Sequence, residues 1–306
     1  MSDSHESHRM TEPSSAGSIA GPDFVGIGAQ KAGTGWLYDQ LRDHPDFWMP
    51  PMKELHYFDR LAAPNQAGTQ RSLPLARQEK DRIRIADSRA RSPEDKEFLT
   101  KFEELAHKTS LDLDGYAALF ALRRGRITGD ITPGYSTLPA SIIEQLVRYF
   151  PRTKFIFIAR DPVERAWSQL SMYVRRGLID QFDGSDVDVL TKHLDRPEIR
   201  ERSFATAIVR RWREFVRADH FGLFFFDDLK RDPIDFRSRI IAYLGGDPGK
   251  SSGQLPADHN AKAEKPKLTL TDPARKRLAQ YFRAELQSSA AELGGAATDW
   301  PERYGF

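Results

Sequence analysis

Residues 23–36 read Asp-Phe-Val-Gly-Ile-Gly-Ala-Gln-Lys-Ala-Gly-Thr-Gly-Trp. The short apolar run Phe24 to Ile27 reads as a buried parallel strand. A turn holding Lys31, Ala32, Gly33, Thr34 and Gly35 follows, and the amphipathic stretch from Trp36 to Leu41 predicts a helix. Strand, small-residue turn and helix together make an anion cradle. Glycines let backbone N–H groups converge, the helix N-terminus adds positive potential, and Lys31 adds a full charge. A bound phosphate or sulfate group is therefore expected here. The plainer alternative is a Gly-rich turn with one solvated lysine.

Residue order separates this cradle from two familiar ones. The nucleotide triphosphatase loop is G-x-x-x-x-G-K-[ST], with lysine directly after the last glycine and a Mg²⁺-ligating hydroxyl next. Here Lys31 precedes Gly33 and Thr34, so the lysine enters from the strand side and the metal handle is missing. A G-x-G-x-x-G dinucleotide turn fits poorly as well. Gly26 and Gly28 are followed by Gln30 and Lys31, where close approach of a pyrophosphate needs a glycine.

At 306 residues the chain suits one large α/β domain or two small ones, and a chain of this size buries about three quarters of its unfolded surface. Hydrophobic content of 39% and charged content of 29% are ordinary for a soluble protein, and a net charge of +2 makes any basic patch local. The absence of cysteine excludes disulfides, a thiol nucleophile and cysteine-based metal sites. Residues 1–22, rich in Ser, His, Gly and Pro, read as a disordered tail ahead of one domain over 23–306. No run approaches the roughly 20 apolar residues of a membrane span. A soluble, cytoplasmic protein is expected. Lysines and arginines alternate with acids and no stacking motif is present, which argues against nucleic acid.

Strand-like runs recur at Phe24–Ile27, Arg126–Gly129, Lys154–Ala159 and Gly222–Phe226. Helical patterns lie between and after them, at Trp36–Arg42, Pro139–Tyr149, Pro162–Arg176, Phe204–Arg217, Ile234–Leu244 and Pro273–Leu293. Such alternation predicts an α/β fold, a central parallel sheet flanked by helices, with ligands beyond the carboxyl ends of the strands. Residues 60–112 carry dense mixed charge and predict a solvated helical insertion, or a lid or subunit contact. Asp180–Arg202 predicts a long surface loop.

Two further segments carry chemistry. Lys154–Ala159 ends in Arg160, followed by Asp161-Pro162-Val163-Glu164-Arg165. Asp161 suits an N-cap, Pro162 the first helical position, and Glu164 closes a capping box. Ser168 lies about 10 Å further along the helix. An arginine fork with a hydroxyl suits a terminal phosphate; Arg160 merely pairing with a carboxylate near the cap is the other reading, and the better one for this motif taken alone. In Pro51–Arg60 the apolar alternation predicts a short edge strand or extended segment, which puts Glu54 and His56 on one side. A carboxylate beside an imidazole suits acid–base work; an exposed glutamate and a packed histidine is the other reading. Gly129–Ser136 predicts a turn lining the cleft, with or without a substrate contact.

In their order along the chain, these segments resemble the sulfotransferases that use 3′-phosphoadenosine 5′-phosphosulfate (PAPS). Gln30–Gly35 is similar to their 5′-phosphosulfate loop. Arg160-Asp161-Pro162-Val163-Glu164-Arg165-Ala166-Trp167-Ser168 is similar to their 3′-phosphate motif R-[ND]-P-x-E-R-x-x-S. Lys53-Glu54-Leu55-His56-Tyr57-Phe58-Asp59 resembles the K-E-x-H-[FY]-F-D segment of the heparan-sulfate branch and its bacterial relatives, and Gly129–Ser136 that branch's G-E-x-[ST]-P-x-Y-[LS]. Trp212 and Phe225–Pro233 resemble a later Trp and a Y-E-D-L-x-x-D-P turn. Asn260-Ala261 falls where the family keeps a loop over the nucleotide. The likeness spans about residues 23–270.

The resemblance implies a nucleotide-kinase-like fold and sulfuryl transfer from PAPS to a hydroxyl or amine on a small-molecule, lipid or carbohydrate acceptor. Lys31 would meet the transferring group and the leaving phosphate. Ala32, Gly33, Thr34, Gly35 and Trp36 would line that phosphate. Arg160 and Ser168 would hold the 3′-phosphate, with Phe204, Asn260 and Lys262 or Lys265 at the nucleotide. Glu54 would be the general base, its pKa raised by Leu55, Tyr57 and Phe58, and His56 would orient the acceptor. A sulfuryl group carries less charge than a terminal phosphoryl, so no metal is required. Three departures stand out: Asp130 for the usual Glu, which puts a substrate-side contact in doubt, and Phe204 and Phe226 for Tyr. The competing class is a P-loop-like kinase or nucleotide hydrolase with an atypical loop.

Overall fold

A computed structural model describes residues 21–61, 76–182, 186–250, 255–259 and 268–306. Residues 1–20 of the expected tail, and Asn260, Lys262 and Lys265, lie outside them.

The chain opens with β1 (Phe24–Gly28) and α1 (Thr34–Asp43). It continues through α2 (Tyr57–Leu61), α3 (Ala76–Asp87), α4 (Pro93–Ala106) and α5 (Leu113–Phe120) to β2 (Gly129–Ile131). Then come α6 (Ala140–Tyr149), β3 (Lys154–Ala159), α7 (Pro162–Arg175), α8 (Val187–Leu194), α9 (Pro197–Arg200) and α10 (Ala205–Arg213). β4 (Phe221–Phe225) passes directly into α11 (Phe226–Arg231), and α12 (Pro233–Leu244), α13 (Asp272–Tyr281) and α14 (Arg283–Leu293) follow.

All four strands pair in parallel, in the order β2-β1-β3-β4. Successive strand residues point to opposite faces, and β1 and β2 are buried at every position. The sheet is therefore covered on both faces by helices, which is why β1 and the run Phe155–Ala159 of β3 are continuous in apolar or small residues rather than alternating. One apolar cluster runs from Phe24 on β1 to Trp300 near the C-terminus. β1 and β3 are neighbours, Phe24 opposite Lys154 and Gly28 opposite Phe157. The turn after β1 and Arg160 after β3 thus leave the sheet side by side.

Several elements differ from the sequence expectation. The strand expected at Arg126–Gly129 begins only at Gly129. Ile127 instead bridges to Phe47, donating to the Asp46 carbonyl and accepting from Trp48 N–H, both at 2.9 Å. Residues 51–56 form no strand: Glu54 and His56 have φ of 65° and 55°, which extended backbone excludes. Asp180–Arg202 is not one loop, because α8 and α9 lie within it and bury Leu190, Leu194 and Ile199. The expected helix Pro273–Leu293 breaks at Phe282 (φ −96°, ψ 11°), whose side chain is fully buried.

The charged stretch contains α3 and α4. Ser92 caps α4 by accepting from Asp95 N–H at 3.2 Å, and Trp48 Nε1 donates to Asp95 Oδ1 at 3.2 Å. Phe98, Leu99, Phe102 and Leu105 on α4 enter the core, so this helix is packed rather than solvated all round. Among the described residues no helix is long and apolar enough to cross a membrane.

The C-terminal residues brace the end of β3. Asp161 caps α7 through Oδ1, which accepts from Val163 N–H at 2.9 Å, while Oδ2 accepts from the Tyr304 hydroxyl at 2.8 Å. Arg303 donates to Asp227 Oδ1 at 2.7 Å, and Trp300 Nε1 donates to Asp227 Oδ2 at 3.3 Å. The capping box is only half formed: Glu164 turns outward to Arg160 and Lys230 instead of back to the cap. Burial pushes the Asp161 carboxyl up to about 6, against the Tyr304 hydroxyl, which holds it down. Tyr304→Phe is therefore expected to cost about 1.5–3 kcal/mol at neutral pH, the worth of a hydrogen bond to a charged group. A urea midpoint equal to wild type would show that the C-terminus does not brace Asp161.

Candidate active site

The cradle is built from the end of β1 and the start of α1. Gly33 takes φ 85°, which favours glycine, and a Cβ on it would fall 2.7 Å from Leu229 Cδ2 and push that side chain aside. No side chain caps α1, and no acidic residue lies in its first turn. Its leading N–H groups thus lack intrahelical partners and keep their positive potential. Lys31, half-buried, has φ 75°. Arg160 Nη1 donates to the Lys31 carbonyl at 2.5 Å, and Nη2 donates to Glu164 Oε2 at 3.1 Å. The guanidinium also lies 4.4 Å from the centre of the Phe226 ring. Arg160 therefore pairs with the carboxylate near the cap and ties the two motifs together as well.

The other residues expected at the nucleotide are held by α1, α7 and the start of α10. Trp36 Nε1 donates to the Ala257 carbonyl at 2.7 Å, and Gln40 Nε2 to that of Pro256 at 2.8 Å, which fastens residues 255–259 to α1. Ser168 is half-buried on α7. Phe204 packs edge-on to Phe282 at 6.0 Å and lines a cavity of about 320 Å³ with Pro197, Ile208 and Arg211.

Two arginines had no role in the sequence reading. Arg165 is 1% exposed and donates to Ser203 Oγ, Gln169 Oε1 and the Ile199 carbonyl, with no carboxylate among these partners. Burial, with Arg202 and Arg160 nearby, lowers its pKa to about 9. Arg202 Nη1 donates to Gln30 Oε1 at 3.1 Å, a second tie onto the cradle loop. Arg165 stands inside a quoted motif, so its position was visible although its burial was not. Arg202 lay in a stretch read as loop and carried no signal.

Glu54 and His56, the expected acid–base pair, lie on the strained segment before α2. Lys53 pairs with Glu54 Oε1; Glu54 Oε2 lies 3.5 Å from His56 Nε2, and His56 Nδ1 lies 2.8 Å from Asp59 Oδ2. Glu54 and His56 meet because both are left-handed, not because they share a strand face. Burial pulls the Glu54 pKa up, but Lys53 and His56 together outweigh it and hold the carboxyl below the ordinary glutamate value. This corrects the expectation of a raised value, since the charged neighbours dominate the apolar ones. Burial lowers the His56 pKa, yet Asp59 and Glu54 overcome it and raise the imidazole to about 9.

A 3₁₀ turn, Pro133–Thr137, joins the two halves. A Cβ on Gly28 would lie 3.2 Å from Ser136, and one on Gly134 would lie 2.5 Å from Asp59 Oδ2 and 3.3 Å from His56 Nδ1. The turn touches the cradle strand on one side and the His56–Asp59 pair on the other. Tyr135 is fully buried: its hydroxyl accepts from Tyr57 N–H at 3.1 Å and donates to Asp130 Oδ2 at 2.8 Å. Asp130 also accepts from Thr132 at 2.7 Å and Tyr116 at 3.2 Å. It is 2% exposed, so it braces the turn from inside and does not face a substrate. Its complete burial raises its pKa above the ordinary aspartate value despite the three hydroxyls. Among the described residues no group of three or more His, Asp or Glu side chains is arranged to hold a metal.

Comparison with known proteins gives a consistent answer. No curated protein matches the chain. A sulfotransferase from Alicyclobacillus acidocaldarius superimposes with a TM-score of 0.64 at 20% identity, over 92% of this chain and 99% of that one. The sulfotransferase domain of the Synechococcus PCC 7002 olefin synthase gives 0.50 at 20% identity, over 94% and 95%. These likenesses concern the fold. Residues 22–247 match the family model described as "Sulfotransferase family", and the chain therefore belongs to the sulfotransferase family.

Proposed function

We propose that the chain moves a sulfuryl group from PAPS to a hydroxyl or amine of a small-molecule, lipid or carbohydrate acceptor, with Glu54 as general base. One observation carries this reading. Among the described residues, four that are not glycine have positive φ, and Lys31, Glu54 and His56 are three of them. Each such residue costs about 1–2 kcal/mol, and strain of this kind persists at sites where the surroundings over-determine the backbone. Motif likeness singled out the same three residues on independent grounds.

The donor fits the charges available. Lys31 and the open N–H groups of Gly33, Thr34, Gly35 and Trp36 suit the 5′-phosphosulfate. Arg160 and Ser168 suit the 3′-phosphate, and the buried charge of Arg165, without a carboxylate partner, adds field behind them. By the family likeness, Asn260 and either Lys262 or Lys265 would meet the nucleotide too. In the transfer, a bond forms from the acceptor oxygen or nitrogen to sulfur as the bond from sulfur to the 5′-phosphate oxygen breaks. Glu54 takes the acceptor's proton. Lys31 and the α1 N-terminus meet the charge growing on the leaving phosphate. Glu54 is ionised throughout the neutral range, and His56, held charged between Glu54 and Asp59, orients the acceptor.

3′,5′-Adenosine bisphosphate is expected to raise the melting temperature of the wild-type protein. Lys31→Ala and Arg160→Ala should each weaken that binding by about tenfold or more, an amount typical of a lost charge-assisted hydrogen bond. A wild-type melting curve indifferent to millimolar bisphosphate, but shifted by Mg-ATP, would transfer the site to the kinase class. In a second test, ³⁵S label passes from PAPS to the small molecules of a cell extract. Glu54→Gln should reduce this by about 10²–10⁴-fold, the usual worth of a general base, with bisphosphate affinity kept; undiminished labelling would remove Glu54 from the chemistry. A third measurement concerns pH. The His56 pKa is raised in the folded state, so its contribution to stability is complete below about 6.5 and is lost as pH climbs to about 9. Wild type should lose about 1–3 kcal/mol relative to His56→Gln across that window, read by urea denaturation. Parallel curves for the two proteins would show that His56 holds no extra proton.

A further inference from the structure

From the charged insertion, Arg82 reaches the strained segment. Arg82, on α3, donates through Nη2 to the Lys53 carbonyl at 3.0 Å and to the carbonyl of Glu54. From Lys80 to Asp87, Arg82 is the one charged residue that is not exposed: Lys80, Asp81, Arg84 and Asp87 all face solvent. Ala86, one turn on, is buried, and Ile83 packs against the core, so this edge of α3 is docked. The two carbonyls that Arg82 holds flank the φ 65° residue that presents the Glu54 carboxylate to His56.

Left-handed backbone at a glutamate relaxes unless its neighbours hold it. The side-chain partners of Glu54 cannot do this alone. Lys53 lies on the same segment, and His56 is itself in a left-handed conformation. Arg82 belongs to a different element, and its Nη2 meets both carbonyls, the two hydrogens of that nitrogen being fixed in the guanidinium plane whereas those of an ammonium rotate.

Building on the reading of Glu54 as base, we propose that Arg82 is a positioning residue: it locks the Lys53–Glu54 backbone so that the carboxylate stays against His56. The insertion is thereby part of the catalytic apparatus, although it lies outside the motifs that carry the family likeness.

The test follows the His56 imidazole by proton NMR, assigned with His56→Gln, in wild type, Arg82→Ala and Arg82→Lys. Around His56 stand Glu54, with Lys53 on its far side, Asp59 and the buried Asp130. Arg82→Ala should lower the His56 midpoint by about one pH unit, as expected when one of two carboxylate neighbours withdraws. It should also cut ³⁵S transfer to a cell extract by about tenfold or more, with 3′,5′-adenosine bisphosphate binding within about twofold of wild type. Arg82→Lys, the gentler change if the alanine variant does not fold, should recover part of both effects. In a Glu54→Gln background, Arg82→Ala should shift His56 no further. A His56 midpoint unmoved by either Arg82 variant overturns the proposal, as does a loss of transfer accompanied by an equal loss of bisphosphate binding. If Glu54→Gln itself still transfers label, the base assignment fails, and the His56 midpoint alone then decides whether Arg82 sets that carboxylate.

Discussion

The hydrogen bond from Arg160 to the Lys31 carbonyl, 2.5 Å long, joins two chain segments 129 residues apart. It exists because β1 and β3 are neighbours in a parallel sheet, so that the turn after one and the first residue after the other emerge together. Around that bond the cationic side of the site is assembled. Arg160 faces the cradle and Glu164, Phe226 lies under its guanidinium, and Gly33 makes room for Leu229 and Phe226 of α11. Any ligand bridging the two motifs meets positive charge at both ends because one strand pairing brought them together.

A second constraint links charge to geometry on the acid–base side. Lys53, Glu54, His56 and Asp59 alternate in sign along a few residues; Lys53 and His56 favour the ionised Glu54, and Asp59 and Glu54 favour the protonated His56. Such a chain is rigid only if its backbone is rigid. The buried aromatic floor supplies part of that: Tyr57 and Tyr116 stack at 5.5 Å, and Phe58 lies edge-on to Tyr116 and Tyr135. Asp130, satisfied by three hydroxyls, anchors the turn above the floor. A buried carboxylate is costly without such partners, and with them it holds one arrangement of the surrounding side chains. The turn it anchors touches both Gly28 and the His56–Asp59 pair, so the spacing between cradle and acid–base group is set from inside the core.

The parts of the fold legible beforehand were those with local causes. Phe24–Ile27 and Lys154–Ala159 are apolar runs too long to expose, and both are strands. Asp161-Pro162 starts a helix because a capping side chain and a fixed φ act within a few residues. What failed had non-local causes. Arg126–Thr128 looks like strand, but Ile127 is claimed by Phe47. Pro51–Arg60 alternates like an edge strand, but its backbone turns left-handed under contacts from α3 and the 133–137 turn. The Glu54 pKa was misjudged for the same reason: nearby apolar residues are visible in the sequence, whereas the outcome depends on which charges end up closest.

Residue order along the chain was thus sufficient for the parallel α/β class, for the strand–turn–helix unit that carries Lys31 and for the capped helix start that follows Arg160. All of these follow from periodicity, glycine placement and capping over short spans. Only the tertiary structure decided which strands are neighbours, that Arg165 and Arg202 join the cationic side, that Asp130 faces inward, and that Arg82 reaches the Glu54 backbone. The reason is physical. A local pattern determines what a segment prefers, but charge interactions and hydrogen bonds depend on distance in space, and the folded packing alone sets those distances.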